Sequence, residues 1–584
     1  MDMFGKLGWF FKQERKAYIF GISMLILLSV MTALVPMIIG IIIDNMTAGT
    51  ITGSQLVMWS VILVVIAIVQ YAMRYVWRTK IFGTSAKLEK ILRARLFTHF
   101  TQMDSIFFQK YRTGDLMART TNDLNSIRMV AGGGILTLVD SLSQGLLTLF
   151  MMFFFVDWRL TLVSIIPIPL LTILIRFVGR KLHYHSRKSQ AAFSSMNDKV
   201  QESVTGMKVI KTFGEEELDI EDFKKMTTNV VDRNQKVYLF DAAFRPASQL
   251  IMGAATILGV FFGGFLVSQG EITIGLLVAF ISYVTRLQWP MIAIGRLFNI
   301  LERGSASYDR ILEILNEKST IIEEPDALSQ SISGDIHIEI DEFAYPDDDD
   351  EASLRDIDIH IKQGNTLGIV GRTGSGKTSL FKLLLRDYDQ FKGDITFNGI
   401  SIKDYQLDSL LANIGYVPQD NFLFSTTVRD NIRFANMDTT NEEVEEIAKV
   451  TSVHEDILGF SEGYDTLVGE RGVALSGGQK QRISMARAML INPELLILDD
   501  SLSAVDAKTE EAILNSIKET REDKSTIISA HRLSSVMHAD EIVVLDEGQI
   551  VERGTHEELI NNNGWYQEMY EHQQLELSSE MEEV

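Results

Sequence analysis

Gly371-Arg372-Thr373-Gly374-Ser375-Gly376-Lys377-Thr378 follows the apolar run Leu367-Gly368-Ile369-Val370 and leads into Ser379-Leu380-Phe381-Lys382-Leu383-Leu384-Leu385, a helix-like stretch. This is the pattern of a phosphate-binding loop. Its glycines permit a tight turn in which the backbone N–H groups of Gly371 to Ser379 face a polyphosphate, Lys377 reaches the outer phosphates, and the Thr378 hydroxyl is a ligand for Mg2+. The helix that follows turns its positive end toward the same phosphates. A glycine-rich surface turn is the bland alternative, and the strand before and helix after argue against it.

Outward from this loop the chain changes character. At 584 residues it is too long for one core. Residues 1–320 carry 34 Lys and Arg against 24 Asp and Glu, whereas residues 321–584 carry 21 against 53. A basic first half and a strongly acidic second half argue for two environments, and the acidic balance disfavours nucleic acid as a partner. With no cysteine in the chain, disulfides, zinc-thiolate sites and cysteine nucleophiles are excluded.

The first half reads as membrane. Six apolar windows, Tyr18 to Ile43, Leu56 to Val76, Gly134 to Val156, Leu160 to Val178, Ala247 to Val267 and Ile272 to Ile294, lie near the roughly 20 residues that a spanning helix needs. Phe4, Leu7, Phe10 and Phe11 set against Lys6, Lys12, Arg15 and Lys16 suggest an amphipathic elbow at the inner interface. Lys and Arg crowd the N-terminus and the segments Arg78 to Arg128 and Arg180 to Arg245, but are absent from Asp44 to Ser54, Asp157-Trp158 and Ser268 to Glu271. Both termini and both long segments are therefore expected in the cytoplasm. The segments read as helical arms of roughly 35 to 40 Å at ~1.5 Å per residue, with breaks at Thr113-Gly114-Asp115 and Thr205-Gly206-Met207 near their tips. Asp140 and Arg286 fall within the spans, where a charge marks either a transport pathway or a side chain reaching for the interface.

The linker around Glu323-Glu324-Pro325-Asp326 ends the helical pattern, and strand-like alternation begins at Ile336. The acidic run Asp347 to Glu351 reads as a solvated turn. Farther on, Leu495-Leu496-Ile497-Leu498-Asp499-Asp500 is an apolar strand tipped by carboxylates, which places Asp499 where it meets the Mg2+ held by Thr378. The long separation from Lys377 requires an inserted subdomain. Within it Leu475-Ser476-Gly477-Gly478-Gln479 precedes a helix-like stretch and forms a second backbone nest for an anion.

These residues resemble the ATP-binding cassette (ABC) transporters. Leu475 to Gln479 is similar to the family's LSGGQ signature, Tyr345 to the aromatic that stacks on adenine, Gln419 to the Q-loop glutamine, Ser503-Ala504-Val505-Asp506 to the D-loop, and His531 to the switch histidine. Six spans ahead of one cassette resemble an exporter half-transporter of type IV. The resemblance implies a dimer in which ATP and Mg2+ lie between the phosphate loop of one chain and the signature of the other. It assigns ATP to Tyr345, Gly371 to Ser379, Ser476, Gly477, Gly478, Gln479 and Asp506, Mg2+ to Thr378, Gln419 and Asp499, and catalysis to Asp500, His531 and Gln419.

One position departs from the family pattern. The residue after Asp499 is normally Glu, which orients the attacking water, and here it is Asp500. Its oxygens fall back by about 1 to 1.5 Å, and a misplacement of ~1 Å in such a site can cost on the order of 100-fold. The expectation is thus a multi-domain membrane protein: residues 1–17 an elbow, 18–320 an all-α six-helix transmembrane domain, 321–335 a linker, 336–572 an α/β ATPase domain and 573–584 an acidic tail. It would sit in the plasma membrane, paired with a second, non-identical half-transporter, and export small amphipathic drugs from the lipid bilayer or cytoplasm. A homodimeric lipid or peptide exporter and an ATP-binding channel or scaffold are the other readings.

Overall fold

Inside hydrocarbon every backbone polar group needs an internal partner, and the apolar first half of the chain answers with helix. The computed structural model describes residues 2–346, 352–469 and 474–582. Among these, five helices are long and apolar enough to cross a membrane: Arg15–Thr47, Gly53–Phe100, Thr113–Val156, Glu216–Ser268 and Ile274–Asn316. The remaining window, Leu160 to Val178, is interrupted. Helix Trp158–Ile165 gives way to Ile168–Thr205 at Pro167, whose ring supplies no N–H to continue the ladder.

Two prolines shape the packing of the spans. Pro36 lies inside Arg15–Thr47 and leaves the Thr32 carbonyl without its helical N–H. Arg286 Nη1 donates to that oxygen at 3.1 Å, and the Tyr283 hydroxyl donates to the adjacent Ala33 carbonyl at 2.6 Å. Pro290 likewise withholds an N–H from the Arg286 carbonyl, and the last span breaks there into Ile274–Arg286 and Gln288–Asn316. A Cβ on Gly275 would stand 2.0 Å from the Gly40 carbonyl oxygen, so the first and last spans meet backbone to backbone. Beside that crossing Asp44 accepts from Gly275 N at 2.7 Å and from the Thr273 hydroxyl at 2.6 Å. Asp140 accepts from Trp289 Nε1 at 2.9 Å and Gln144 Nε2 at 2.5 Å. Arg159 stands just after the cation-free Asp157-Trp158 link and pairs with Asp157 and Glu271.

The N-terminal elbow is two short helices, Asp2–Lys6 and Gly8–Gln13. Its apolar face is turned to protein: Met3, Leu7 and Phe10 are buried, Lys6 donates to Asp309 at 2.6 Å, and Phe11 packs edge-on against Tyr18. Gln288–Asn316 and Arg15–Thr47 supply the apolar surface against which these side chains pack, and Phe4 and Phe11 of the same amphipathic segment stay half-buried.

Two compact units emerge, Met1–Thr101 with Thr113–Glu317, and Gln102–Arg112 with Lys318–Val584. The first arm's tip therefore belongs with the ATPase domain. Its turn is the short helix Ser105–Lys110, and Thr113-Gly114-Asp115 opens the returning helix. Asp104 caps the tip helix at Phe107 N and accepts from the hydroxyls of Thr320 and Ser319 at 2.8 and 3.1 Å, while Gln109 Nε2 donates to the Tyr388 hydroxyl at 2.7 Å. The second arm turns at Gly206, with Met207–Phe213 as its tip helix.

The second unit holds a four-stranded antiparallel sheet and a six-stranded, mostly parallel one. The strands are β1 (Ile336–Phe343), β2 (Leu354–Ile361), β3 (Thr366–Gly371), β4 (Lys392–Phe397), β5 (Ile400–Ser401), β6 (Ile414–Val417), β7 (Leu495–Asp499), β8 (Ser525–Ser529), β9 (Glu541–Asp546) and β10 (Gln549–Gly554). The sheet orders are β2-β1-β4-β5 and β10-β9-β3-β8-β7-β6. β7 and β8 are buried at every position, as a parallel sheet covered on both faces requires. The segment expected as an acidic tail is helical to Glu582, in a helix that begins at Trp565. Tyr566 buries fully on the domain core and anchors it. The acidic turn Asp347 to Glu351 lies outside the described residues.

Candidate functional site: a nucleotide cleft at four strand ends

In the parallel sheet β8 separates β3 from β7, and β6 lies beyond β7. Asp499 is level with Ser529, which is level with Ile369. The carboxyl ends of four neighbouring strands thus deliver the phosphate loop, His531, Asp499-Asp500 and Gln419 to one edge, where α/β sheets bind ligands. They line a cleft of about 680 Å³, together with Tyr345 and Thr373 to Ser379.

The phosphate loop is held from below. A Cβ on Gly371 would lie 2.1 Å from the Leu545 carbonyl oxygen, and Gly548 N donates to Ser375 O at 3.1 Å. Helix Lys377–Leu384 starts at Gly376 with no side-chain cap, so its leading N–H groups are open to an anion. Lys377 is buried, and its ammonium donates to the carbonyls of Gly371 and Arg372 at 2.8 and 2.9 Å. Burial holds it below the usual lysine range, against the pull of Asp499 and Asp500. The Tyr345 hydroxyl shares a hydrogen bond of 2.8 Å with Ser379, and its ring meets Tyr388 edge-on.

Asp499 is 3% exposed and accepts from the Thr378 hydroxyl at 3.1 Å. Burial, with Asp500 adding to it, pushes its carboxyl above the usual range. Gln419 Nε2 donates to Asp500 Oδ2 at 3.3 Å, which leaves the Gln419 amide oxygen as the atom to face a cation. A hydroxyl, a carboxylate and an amide oxygen are hard donors that suit Mg2+, which takes few protein ligands and completes its shell from phosphate and water. Among the described residues no group of three or more His, Asp or Glu could hold a metal.

Ser476, Gly477, Gly478, Gln479 and Asp506 do not line this cleft. Ser476 caps helix Gly477–Leu490 in a reciprocal pair with Gln479, and Gln479 in turn donates to Asp456 at 3.0 Å. Asp506 caps Ala507–Thr520 through Thr509 N at 3.0 Å. Gln481 ties the two elements together, its Oε1 accepting from Ala504 N at 3.1 Å. The cleft also contains Ser353, Arg355, Glu547 and Gly548, which sequence reasoning passed over. The turn Asp546-Glu547-Gly548, with both Glu547 and Gly548 at positive φ, was the available signal for the last two.

Comparison with known proteins agrees with this architecture. The family model described as ABC transporter transmembrane region matches residues 18–291, and the one described as ABC transporter matches residues 354–503. The chain is 46% identical to the probable multidrug resistance ABC transporter ATP-binding/permease protein YheI of Bacillus subtilis (strain 168), over 98% of this chain and 97% of that one. It is 42% identical to the multidrug resistance-like ATP-binding protein MdlA of Escherichia coli (strain K12), over 99% and 97%. A solved structure of a bacterial Atm1-family ABC exporter with ATP bound superposes with a TM-score of 0.77 at 25% identity, covering 96% of this chain and 98% of that one. The chain belongs to the ABC transporter family, among its multidrug-resistance-like exporters, with a helical transmembrane region followed by the family's ATPase domain.

Proposed function

We propose that the chain is one subunit of a heterodimeric exporter that uses ATP to move drugs or other amphipathic compounds out of the cytoplasm or inner leaflet, and that it resembles BmrC, a subunit of the bacterial multidrug exporter BmrCD. Its relatives' names point to multidrug export. A dimer is supported by apolar side chains left uncovered in the single chain: Val209 and Phe213 at the second arm's tip, and Phe422, Phe434 and Met437 on the ATPase domain. It is supported too by the absence of the signature from the cleft, since an ATP bound by Lys377 and the loop amides would need a second chain's signature to close over it.

In this reading Tyr345 stacks on the adenine, Lys377 and the amides of Gly371 to Ser379 hold the phosphates, and Thr378, Asp499 and Gln419 would be the protein ligands for Mg2+. Mg2+ held there would supply positive charge to offset that of the phosphates. Asp500 orients the attacking water, and His531 reaches the γ-phosphate.

The observation that carries the asymmetry is how Asp500 is anchored. Its N–H donates to the Ser529 carbonyl at 2.9 Å, and its own carbonyl accepts from the Ser503 hydroxyl at 2.9 Å. Advancing the backbone to make up the missing methylene would break both bonds and the register of β7 on β8. The half-site on this chain's phosphate loop therefore binds ATP better than it hydrolyses it, and the Leu475 to Gln479 signature serves a competent site on the partner. Co-expression of tagged and untagged copies with candidate half-transporters tests the assembly. Capture of a non-identical partner, with drug-stimulated ATPase only in the mixed complex, supports the proposal. Capture of the untagged copy by the tagged one, with full activity, replaces it with the homodimer.

A further inference from the structure

We propose that Gln573, on the C-terminal helix Trp565–Glu582, is a positioning residue for His531. This rests on the reading that His531 reaches the γ-phosphate. Among the described residues the His531 imidazole makes no hydrogen bond, and the ring is exposed in the cleft, so its place is set by its backbone alone. That backbone leaves β8 at Ser529 and enters the turn Leu533–Ser535, and among the described residues its one backbone tie to the sheet in between is Ala530 N to the Ile369 carbonyl. Gln573 bridges the gap. Its Nε2 donates to the His531 carbonyl at 2.9 Å, and its Oε1 accepts from Leu533 N at 2.9 Å.

A side-chain amide offers a donor and an acceptor on one rigid plane, which suits two adjacent backbone groups of opposite kind. The platform beneath it is firm. Tyr566 on the same helix is fully buried, with its hydroxyl 2.8 Å from His556 Nδ1, and Trp565, Met569 and Tyr570 pack against the same core. On the other side Ser535 is held by Glu510, and Arg532 Nη1 donates to the Val505 carbonyl at 3.4 Å. The loop is thus fastened through Ser535 to the helix after the D-loop, through the Arg532 side chain to the D-loop itself and through Ala530 N to Ile369 O at 3.2 Å, while the His531 carbonyl is held by Gln573. A group that must stay within a few tenths of an ångström of a phosphate needs this kind of support.

The test uses the assembled transporter. In a complex carrying Ser476→Arg in this chain, which disables the partner's site, the remaining single-turnover hydrolysis belongs to this chain's own site; if the protein proves homodimeric, total ATPase without that change is the readout. Gln573→Ala is expected to lower the rate about tenfold with the ATP concentration dependence unchanged. Gln573→Glu should fall at least as far, because the isosteric carboxylate cannot donate to the His531 carbonyl and repels it. In a His531→Ala background neither change should have a further effect. Gln574→Ala, an exposed neighbour, should be silent. Full activity of Gln573→Glu, or an equal loss from Gln573→Ala with and without His531, would make Gln573 a packing residue only and overturn the proposal. Failure to isolate a non-identical partner bears on the heterodimer and leaves this result standing.

Discussion

Gln419 Nε2 donates to Asp500 Oδ2 at 3.3 Å, so the residue that would present a water to the γ-phosphate is tied back to a residue that would face Mg2+. A carboxylate held this way on an anchored backbone is short of reach. Asp500→Glu is expected to raise turnover at this chain's own site by on the order of tenfold or more, as the missing ~1 Å is restored. Asp500→Asn should reduce steady-state ATPase of the whole complex only modestly. Near-total loss from Asp500→Asn would place the main hydrolytic site on this chain.

The signature serine does two things that substitution can separate. Ser476→Arg fills the phosphate position and removes a helix cap, a loss of about 1 kcal/mol. Ser476→Asp keeps the cap but sets a negative charge toward the γ-phosphate. Both should nearly abolish steady-state ATPase, while only the arginine variant lowers the melting temperature. An active Ser476→Asp complex would remove the signature from the working site.

Tyr345→Ala should weaken ATP binding by about 1 to 3 kcal/mol, the range for loss of a stacked base. Tyr345→Phe keeps the ring and loses only the hydrogen bond to Ser379. It should bind within severalfold of the unaltered protein. Equal losses in the two variants, measured by titration with a fluorescent nucleotide, would show that the hydroxyl and not the ring is what ATP meets.

Arg286 and Pro36 form a compensating pair, because the guanidinium answers the carbonyl that the proline leaves open. Arg286→Ala is expected to cost about 1 to 3 kcal/mol, the penalty for a buried unpaired group. Pro36→Ala restores an N–H to Thr32 O and should rescue much of that loss in the double variant. Thermal unfolding in detergent reads the effect. A changed drug profile at unchanged stability would instead place Arg286 on the transport pathway.

Asp104 carries a pH dependence. Partial burial raises its carboxyl, but hydrogen bonds from Thr320, Phe107 and Ser319 outweigh burial and leave it below the usual range. A depressed folded pKa means that its stabilisation is present above the unfolded value near 4 and is lost as pH falls through the folded one. Protection of the segment Gln102–Arg112 from proteolysis should therefore weaken below about pH 4. Asp104→Asn should show the weaker protection already at pH 7, and an unchanged profile in that variant would assign the docking to Gln109 and Tyr388.

What the sequence determined by itself was local chemistry. Gly371 to Thr378 reads as a phosphate loop because spacing within eight residues sets its turn, and the apolar windows read as helices because their backbone needs internal partners and their length of about 20 residues suits a helix and not a barrel strand. The substitution at Asp500 was equally plain. Other relations depended on strand order and on contacts between residues far apart in the chain. That Gln419, Asp500 and His531 share one cleft follows from β8 entering between β3 and β7. Ser476 and Asp506 lie outside it, each as the cap of a helix beyond the sheet's ligand edge. Arg286 looked like a lone charge in a span until the fold brought it to the carbonyl opened by Pro36. That Leu7 and Phe10 of the elbow bury against protein was visible only once two helices had been placed beside them. Gln573 had no signal at all, because an amide meets a backbone loop 40 residues away only after both have been placed by packing.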